Sequence, residues 1–153
     1  MFIFDMDSVY NVGSLMYSEE THEFASTPYM NSDITFLVGY INIGFDSETK
    51  EATQIWGFHH NFNWEKKVLN IPEITKGVVK LNMKIESGDS IRIKEADSWK
   101  TYYDSHSGWI RFGNTDNFSN DLCIEFFTNT VLEIDKKGNL IALWLKPEFR
   151  NCN

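Results

Sequence analysis

The histidines and cysteines are the residues of this 153-residue chain best suited to serve as metal ligands or nucleophiles. His59 and His60 stand side by side, while His22 and His106 lie far from them in sequence. Adjacent side chains of a strand point to opposite faces, so in regular β structure His59 and His60 do not share a metal. One buried and one exposed ring is the expectation. Cys123 and Cys152 are 29 residues apart with no second Cys or His at ligand spacing. That pattern is neither a zinc site nor a redox pair, and it predicts two free thiols. No Ser, His and Asp set has a local spacing that singles it out as a triad. Neither a metal nor a cofactor is expected.

The opening Phe2-Ile3-Phe4-Asp5-Met6-Asp7-Ser8-Val9 is a different case, because an apolar run delivers two carboxylates two residues apart. It resembles the first motif of haloacid dehalogenase-like phosphatases, and Gly88-Asp89-Ser90 resembles their late acidic motif. The resemblance implies that Asp5 is a nucleophile and Asp7 a general acid/base, with Mg²⁺ offsetting the phosphate charge. That family also needs parallel strands alternating with long helices, whereas residues 34–94 read as strand after strand. Its small-hydroxyl motif has no counterpart after a central strand. No enzymatic activity is therefore expected.

A third set of candidates lies between Glu95 and Asp121, where Trp99, Tyr102, Tyr103, Trp109, Phe112 and Phe118 are interleaved with Asp97, Asp104 and Asp116. Flat rings beside hydrogen-bond acceptors suit sugar rings and equally suit the centre of a protein interface. Gly108-Trp109-Ile110-Arg111-Phe112-Gly113 reads as a strand, which places Trp109 and Phe112 in the core. Tyr103 and Asp104 are expected in a turn open to a partner, with Trp99 and Tyr102 beside them.

Charge is unevenly distributed. Eight acids (Asp5, Asp7, Glu19, Glu20, Glu23, Asp33, Asp46, Glu48) precede Lys50 with no Lys or Arg among them, so the whole surplus behind the net charge of −8 sits in the first third. Such a surface repels nucleic acid and anionic membrane and attracts a basic partner at long range. No run approaches the length of a membrane span and no secretion signal opens the chain, so a cytoplasmic location is expected.

The elements that must position these residues are mostly strands. Leu15 to Phe24 has room for a short helix, and Asn61 to Leu69 for a helical turn or two. Ile34 to Phe45 is rich in β-branched and aromatic residues and reads as one long strand bent at Gly39 and Gly44, with Ala52 to His59 returning beside it. Val79 to Ile85 and Ile91 to Ile93 alternate about the turn Ser87-Gly88-Asp89 and read as a hairpin. A second hairpin joins Leu122–Ile134 to Asn139–Lys146 through Asp135-Lys136-Lys137-Gly138. The sum is a single mainly β domain over 1–153: an antiparallel meander, sandwich or partly open barrel with one or two short helices.

In overall character, small, acidic, aromatic-rich and without catalytic motifs, the chain resembles the immunity proteins that bacteria encode beside polymorphic and contact-dependent growth inhibition toxins. The resemblance implies a binding module that occupies a cognate toxin domain, often a nuclease and therefore basic. The expected contact surface is Asp5, Asp7, Glu19, Glu20, Glu23 and Asp33, with Trp99, Tyr102, Tyr103 and Asp104 as a second surface. The alternative is a carbohydrate-binding β-sandwich that uses Trp and Tyr as platforms.

Overall fold

The computed structural model of the chain describes residues 1–5, 11–115 and 121–150, with Asp5 described by its backbone alone. Alternating burial marks the early strands. Leu15 and Tyr17 are buried while Ser14, Met16 and Ser18 are half-exposed, and Ile34, Phe36 and Val38 repeat the pattern.

The first elements are β1 (Phe2–Asp5), β2 (Ser14–Ser18), β3 (Glu23–Thr27), β4 (Ile34–Val38), β5 (Ile41–Phe45) and β6 (Ala52–Phe58). Short strands follow: β7 (Glu65–Lys66), β8 (Ile74–Lys76), β9 (Val78–Leu81) and β10 (Ser90–Arg92), before a 3₁₀ turn at Lys94–Ser98. The last six are β11 (Lys100–Tyr103), β12 (Ile110–Gly113), β13 (Leu122–Phe127), β14 (Thr130–Ile134), β15 (Leu140–Leu145) and β16 (Glu148–Arg150).

Two seven-stranded sheets result, ordered β10-β4-β5-β6-β3-β2-β16 and β7-β11-β12-β15-β14-β13-β8, with β1 and β9 forming a small third sheet. The fold is mainly β as expected and, of the meander, sandwich and partly open barrel, it is the sandwich. One apolar core takes side chains from both large sheets, among them Phe24, Phe36 and Ile55 from the first and Phe112, Leu132 and Leu143 from the second. Phe2 joins the small sheet to this core, 5.4 Å from the Phe36 ring and 5.9 Å from that of Phe45.

Several local expectations need correction. Leu15 to Phe24 is not a helix but β2, a turn and β3, because Leu15, Tyr17 and Phe24 keep to the period of a strand. No helix forms over 61–69 either, where β7 runs parallel to β11. The run from Ile34 to Phe45 is two strands, reversed by a two-residue turn at Gly39 and Tyr40. Likewise Leu122 to Ile134 folds back at Thr128 and Asn129, with Asn129 at φ +58°, a left-handed conformation that Asn tolerates.

The hairpin expected at Gly88 does not form, since β9 pairs with β1 and β10 runs parallel to β4. The hairpin at Asp135 to Gly138 does, with Asp135 Oδ1 accepting from the Lys137 and Asn139 N–H groups at 2.9 Å. Antiparallel pairing holds inside both large sheets, but all four of their edge strands pair in parallel. These edges are only two or three residues long. Short edges offer little to a foreign strand.

The phosphatase resemblance implies parallel strands alternating with helices, and the fold departs from it. β1 pairs antiparallel with β9, and the Lys94–Ser98 turn is the sole helical element among the described residues.

Candidate functional site

Five rings meet at one end of the sandwich. Gly39 takes φ +62° in the turn between β4 and β5, which leaves Tyr40 at the tip with 68% of its surface exposed. Phe58 ends β6 opposite Glu23 and is 40% exposed, while Phe62, in the connection to β7, is 80% exposed. His22 and His60 fill the space between them. Ring centroids are 6.1 Å apart for Tyr40 and Phe58, 6.2 Å for Phe58 and His22, and 4.8 Å for His22 and Phe62. Phe62 and His60 are 5.3 Å apart, and His60 returns to Phe58 at 6.1 Å, so four of the rings form a closed circuit.

The backbone holds this patch in place. The His59 N–H donates to the His22 carbonyl at 2.7 Å, and the His22 N–H to the Ser18 carbonyl at 2.8 Å, joining the β2–β3 turn to the end of β6. His22 is at φ +59°. Gly57, just before Phe58, is at φ +129°, and a Cβ there would lie 2.4 Å from the Tyr40 carbonyl oxygen. Only glycine lets the two exposed rings come together here.

Beneath the patch His59 faces the core, where its Nε2 lies 2.9 Å from Thr101 Oγ1 and its ring 4.6 Å from Phe112. Burial, with a smaller contribution from neighbouring His60, depresses its pKa to about 4. His59 and His60 thus take opposite roles, one in the core and one in the patch. The Nδ1 atoms of His22 and His60 and the Nε1 of Trp64 are buried there without hydrogen-bond partners. Beside the patch, a cleft of about 640 Å³ opens between Tyr40, His60, Trp99, Phe112, Arg92 and Lys100.

The acidic candidates separate into two groups. Glu19 and Glu20 are exposed in the β2–β3 turn next to His22, and exposed Glu23 is in register with Phe58. Tyr17 under this turn donates to the His59 carbonyl at 2.6 Å, and its pKa is pushed up to about 12 by burial and then by Glu19. Arg150 adjoins the same turn, its carbonyl accepting from the Glu19 N–H at 3.1 Å. Asp33 sits at the opposite end of the sheet, beyond a five-residue strand that spans roughly 17 Å. Its carboxylate accepts from the Ser47 N–H at 2.7 Å and from the Ser47 hydroxyl, which hold its pKa below the usual range. Asp5 lies in β1 opposite Val78, and Asp7 falls outside the described residues.

The second expected surface is divided by the period of β11. Thr101 and Tyr103 point inward, Tyr103 to 5.9 Å from Trp64 and 5.5 Å from Phe149. Tyr102 points outward beneath Lys67, whose Nζ is 5.0 Å from the ring centroid. Trp99 packs edge-on to Phe112 at 5.4 Å. Asp104 is 5% exposed and serves the turn itself, accepting from the N–H groups of Leu69 at 3.1 Å, His106 at 2.9 Å and Ser107 at 3.2 Å. Those bonds, Leu69's foremost, hold its pKa low. Phe112 lies in the core as expected, but Trp109, just before β12, is half-buried against a separate cluster of Cys123, Val131, Ala142 and Trp144.

Reading by sequence missed the five-ring patch, because its members come from three connections that meet only in the folded chain. The signals present were Tyr40 directly after a turn glycine and two phenylalanines flanking the His59-His60 pair. No family model matches the chain, and no curated protein is similar to it.

Proposed function

We propose that the chain is a protein-binding module whose contact surface is the ring patch of Tyr40, Phe58, Phe62, His22 and His60, and whose partner is a basic protein domain. The observation that carries this reading is a contiguous cluster of rings in which Tyr40, Phe58 and Phe62 are exposed and His22 and His60, half-buried, link them. Exposed apolar surface of this kind is costly unless something covers it, and aromatic rings supply most of the energy at the centre of interfaces.

The rim selects the partner. Glu19, Glu20 and Glu23 border the patch in its own turn and strand. Carboxylates at a rim raise the rate of encounter with a basic surface and disfavour acidic ones. A domain that holds RNA or DNA presents such a surface, which supports an immunity-type role: masking the nucleic-acid cleft of a cognate toxin domain inside the producing cell. The sugar-binding alternative has less support, since Trp99 packs edge-on to Phe112 and Tyr102 is covered by Lys67.

The test is protection. The gene's upstream neighbour is first sequenced for a secreted-toxin reading frame, the chain is co-expressed with the toxin domain so found, and growth is compared for wild type and Tyr40→Ala/Phe62→Ala; absence of any such gene also contradicts the proposal. Rescue by wild type and loss of rescue by a double variant of unchanged melting temperature are expected. Failure of the wild type to protect, or equal protection by both, contradicts the proposal.

A further inference from the structure

The ring patch is a frame as well as a surface. Its circuit runs from Phe58 to His22, Phe62, His60 and back, with sides of 6.2, 4.8, 5.3 and 6.1 Å between ring centroids. Among the described residues no ring contact crosses it, either from His22 to His60 or from Phe58 to Phe62. The middle of such a figure lies roughly 4 Å from each centroid, inside the reach of about 6 Å over which a cation is attracted to a ring. The rings are walls rather than one stack. They meet at 86°, 65° and 55°, and only Phe62 and His60 come near parallel, at 27°. Tyr40 extends the frame from Phe58, at 74° to it.

The surroundings of the frame are negative. Glu23 stands directly opposite Phe58 in the antiparallel register, so the two side chains lie on one face of the sheet. Glu19 and Glu20 are exposed in the turn that carries His22. Against these three carboxylates stands Arg150, whose backbone carbonyl accepts from the Glu19 N–H. Arg92 and Lys100 line the neighbouring cleft together with Glu65 and Asp97, where the charges balance. The field at the rings is therefore that of the glutamates. Two nitrogens add to it: the Nδ1 atoms of His22 and His60 are buried without hydrogen-bond partners, and each is an acceptor when the ring proton is on Nε2.

We propose that this frame is a cage for the guanidinium group of an arginine on the partner's surface. The inference rests on the binding surface proposed above and names its anchor. Arginine fits better than lysine, because its plane can lie along one ring while its edge meets another, and its five N–H donors offer partners to the histidine nitrogens. A guanidinium is also more weakly hydrated than an ammonium, which lowers the cost of drawing it between rings. An apolar anchor uses the rings alone and leaves the carboxylates and the histidine nitrogens without a role.

NMR titration of the chain alone tests this, with N-acetylarginine amide as the probe and N-acetylcitrulline amide, its uncharged isostere, as the control. The titration is run at about pH 8, above the range in which histidine side chains ordinarily charge. Saturable shifts of the His22, Phe58, His60 and Phe62 ring protons are expected with the arginine probe at millimolar concentration, and binding of the citrulline probe should be about fivefold weaker or less. Phe62→Leu keeps the bulk and removes the π face, at a position 80% exposed that the fold should tolerate. It should weaken the arginine probe about threefold or more. Glu23→Gln should weaken it about twofold and reduce its salt dependence. Absence of saturable shifts at the four rings, equal binding of the two amides, or binding unchanged by Phe62→Leu would each overturn the cage. The growth assay can still succeed in all three cases through an apolar anchor on the same rings, so the two proposals fail separately.

Discussion

The Nε2 of His59 lies 2.9 Å from the Oγ1 of Thr101, joining the loop that carries the exposed rings to the inner face of the opposite sheet. This contact makes the ring patch part of the sandwich rather than a loose appendage. Burial of the His59 ring beneath the patch, with a smaller contribution from His60, also makes the patch sensitive to acid. The folded state keeps His59 neutral down to a pKa of about 4, against 6.5 for an ordinary histidine, so the unfolded chain binds the proton first. Stability is therefore full above about pH 6.5 and declines as pH falls towards 4, by at most about 3 kcal/mol from this group. His59→Gln keeps a partner for Thr101 and removes the titration. Its melting temperature should fall less than that of wild type between pH 7 and pH 5, as followed by thermal denaturation.

Gly57 is the residue that allows Phe58 and Tyr40 to meet. Gly57→Ala forces a left-handed backbone on alanine and drives its Cβ towards the Tyr40 carbonyl, 2.4 Å away in the present geometry. A loss of about 2 kcal/mol or more is expected, equivalent to a melting-temperature drop of roughly 4–8 °C for a chain of this size. Gly88→Ala is the comparison, since a Cβ there meets nothing within 4 Å although its φ is also positive, at +91°. It should cost less.

Glu133 carries two obligations, to Arg111 and to Trp144. Glu133→Ala strands both and should cost about 3 kcal/mol by chemical denaturation. Glu133→Gln retains an acceptor for the indole N–H and deletes the charge beside Asp121. Carboxyl NMR titration should then give an Asp121 pKa below about 7 yet above 3.8, because burial is the larger cause of the shift and persists. An unchanged Asp121 pKa would show that the two carboxyls do not interact.

The fold was legible where side-chain period and turn chemistry agree. The strand expected over Ala52 to His59 forms as Ala52–Phe58 after the polar Asp46–Lys50 turn, and the Asp135 hairpin forms at Gly138. Legibility failed where a strand-rich run conceals a two-residue reversal, as at Gly39-Tyr40 and Thr128-Asn129, since neither turn interrupts the apolar pattern for long. Parallel edges were invisible for another reason: β7, β8, β10 and β16 are too short to have a period, and their partners are fixed by long-range packing. At the site, the charge surplus was correctly located in sequence but not in space. Glu19, Glu20 and Glu23 gather beside the rings, whereas Asp33 lies at the far end of β4. Asp104 illustrates the opposite error, because an acid in a turn satisfies backbone N–H groups as readily as it meets a partner.

The most direct measurement is association kinetics between the chain and the partner proposed for it, a basic toxin domain, by stopped flow at about 50 and 500 mM salt. Wild type should associate much more slowly at high salt with little change in dissociation, and a Glu19→Gln/Glu20→Gln/Glu23→Gln variant should lose most of that salt dependence. Phe62→Ala should leave the on-rate near wild type and raise the off-rate at least tenfold, as expected of a ring at the centre of an interface. If the triple variant and Phe62→Ala both match wild type in on-rate, off-rate and salt dependence, the ring patch and its acidic rim are not the binding surface.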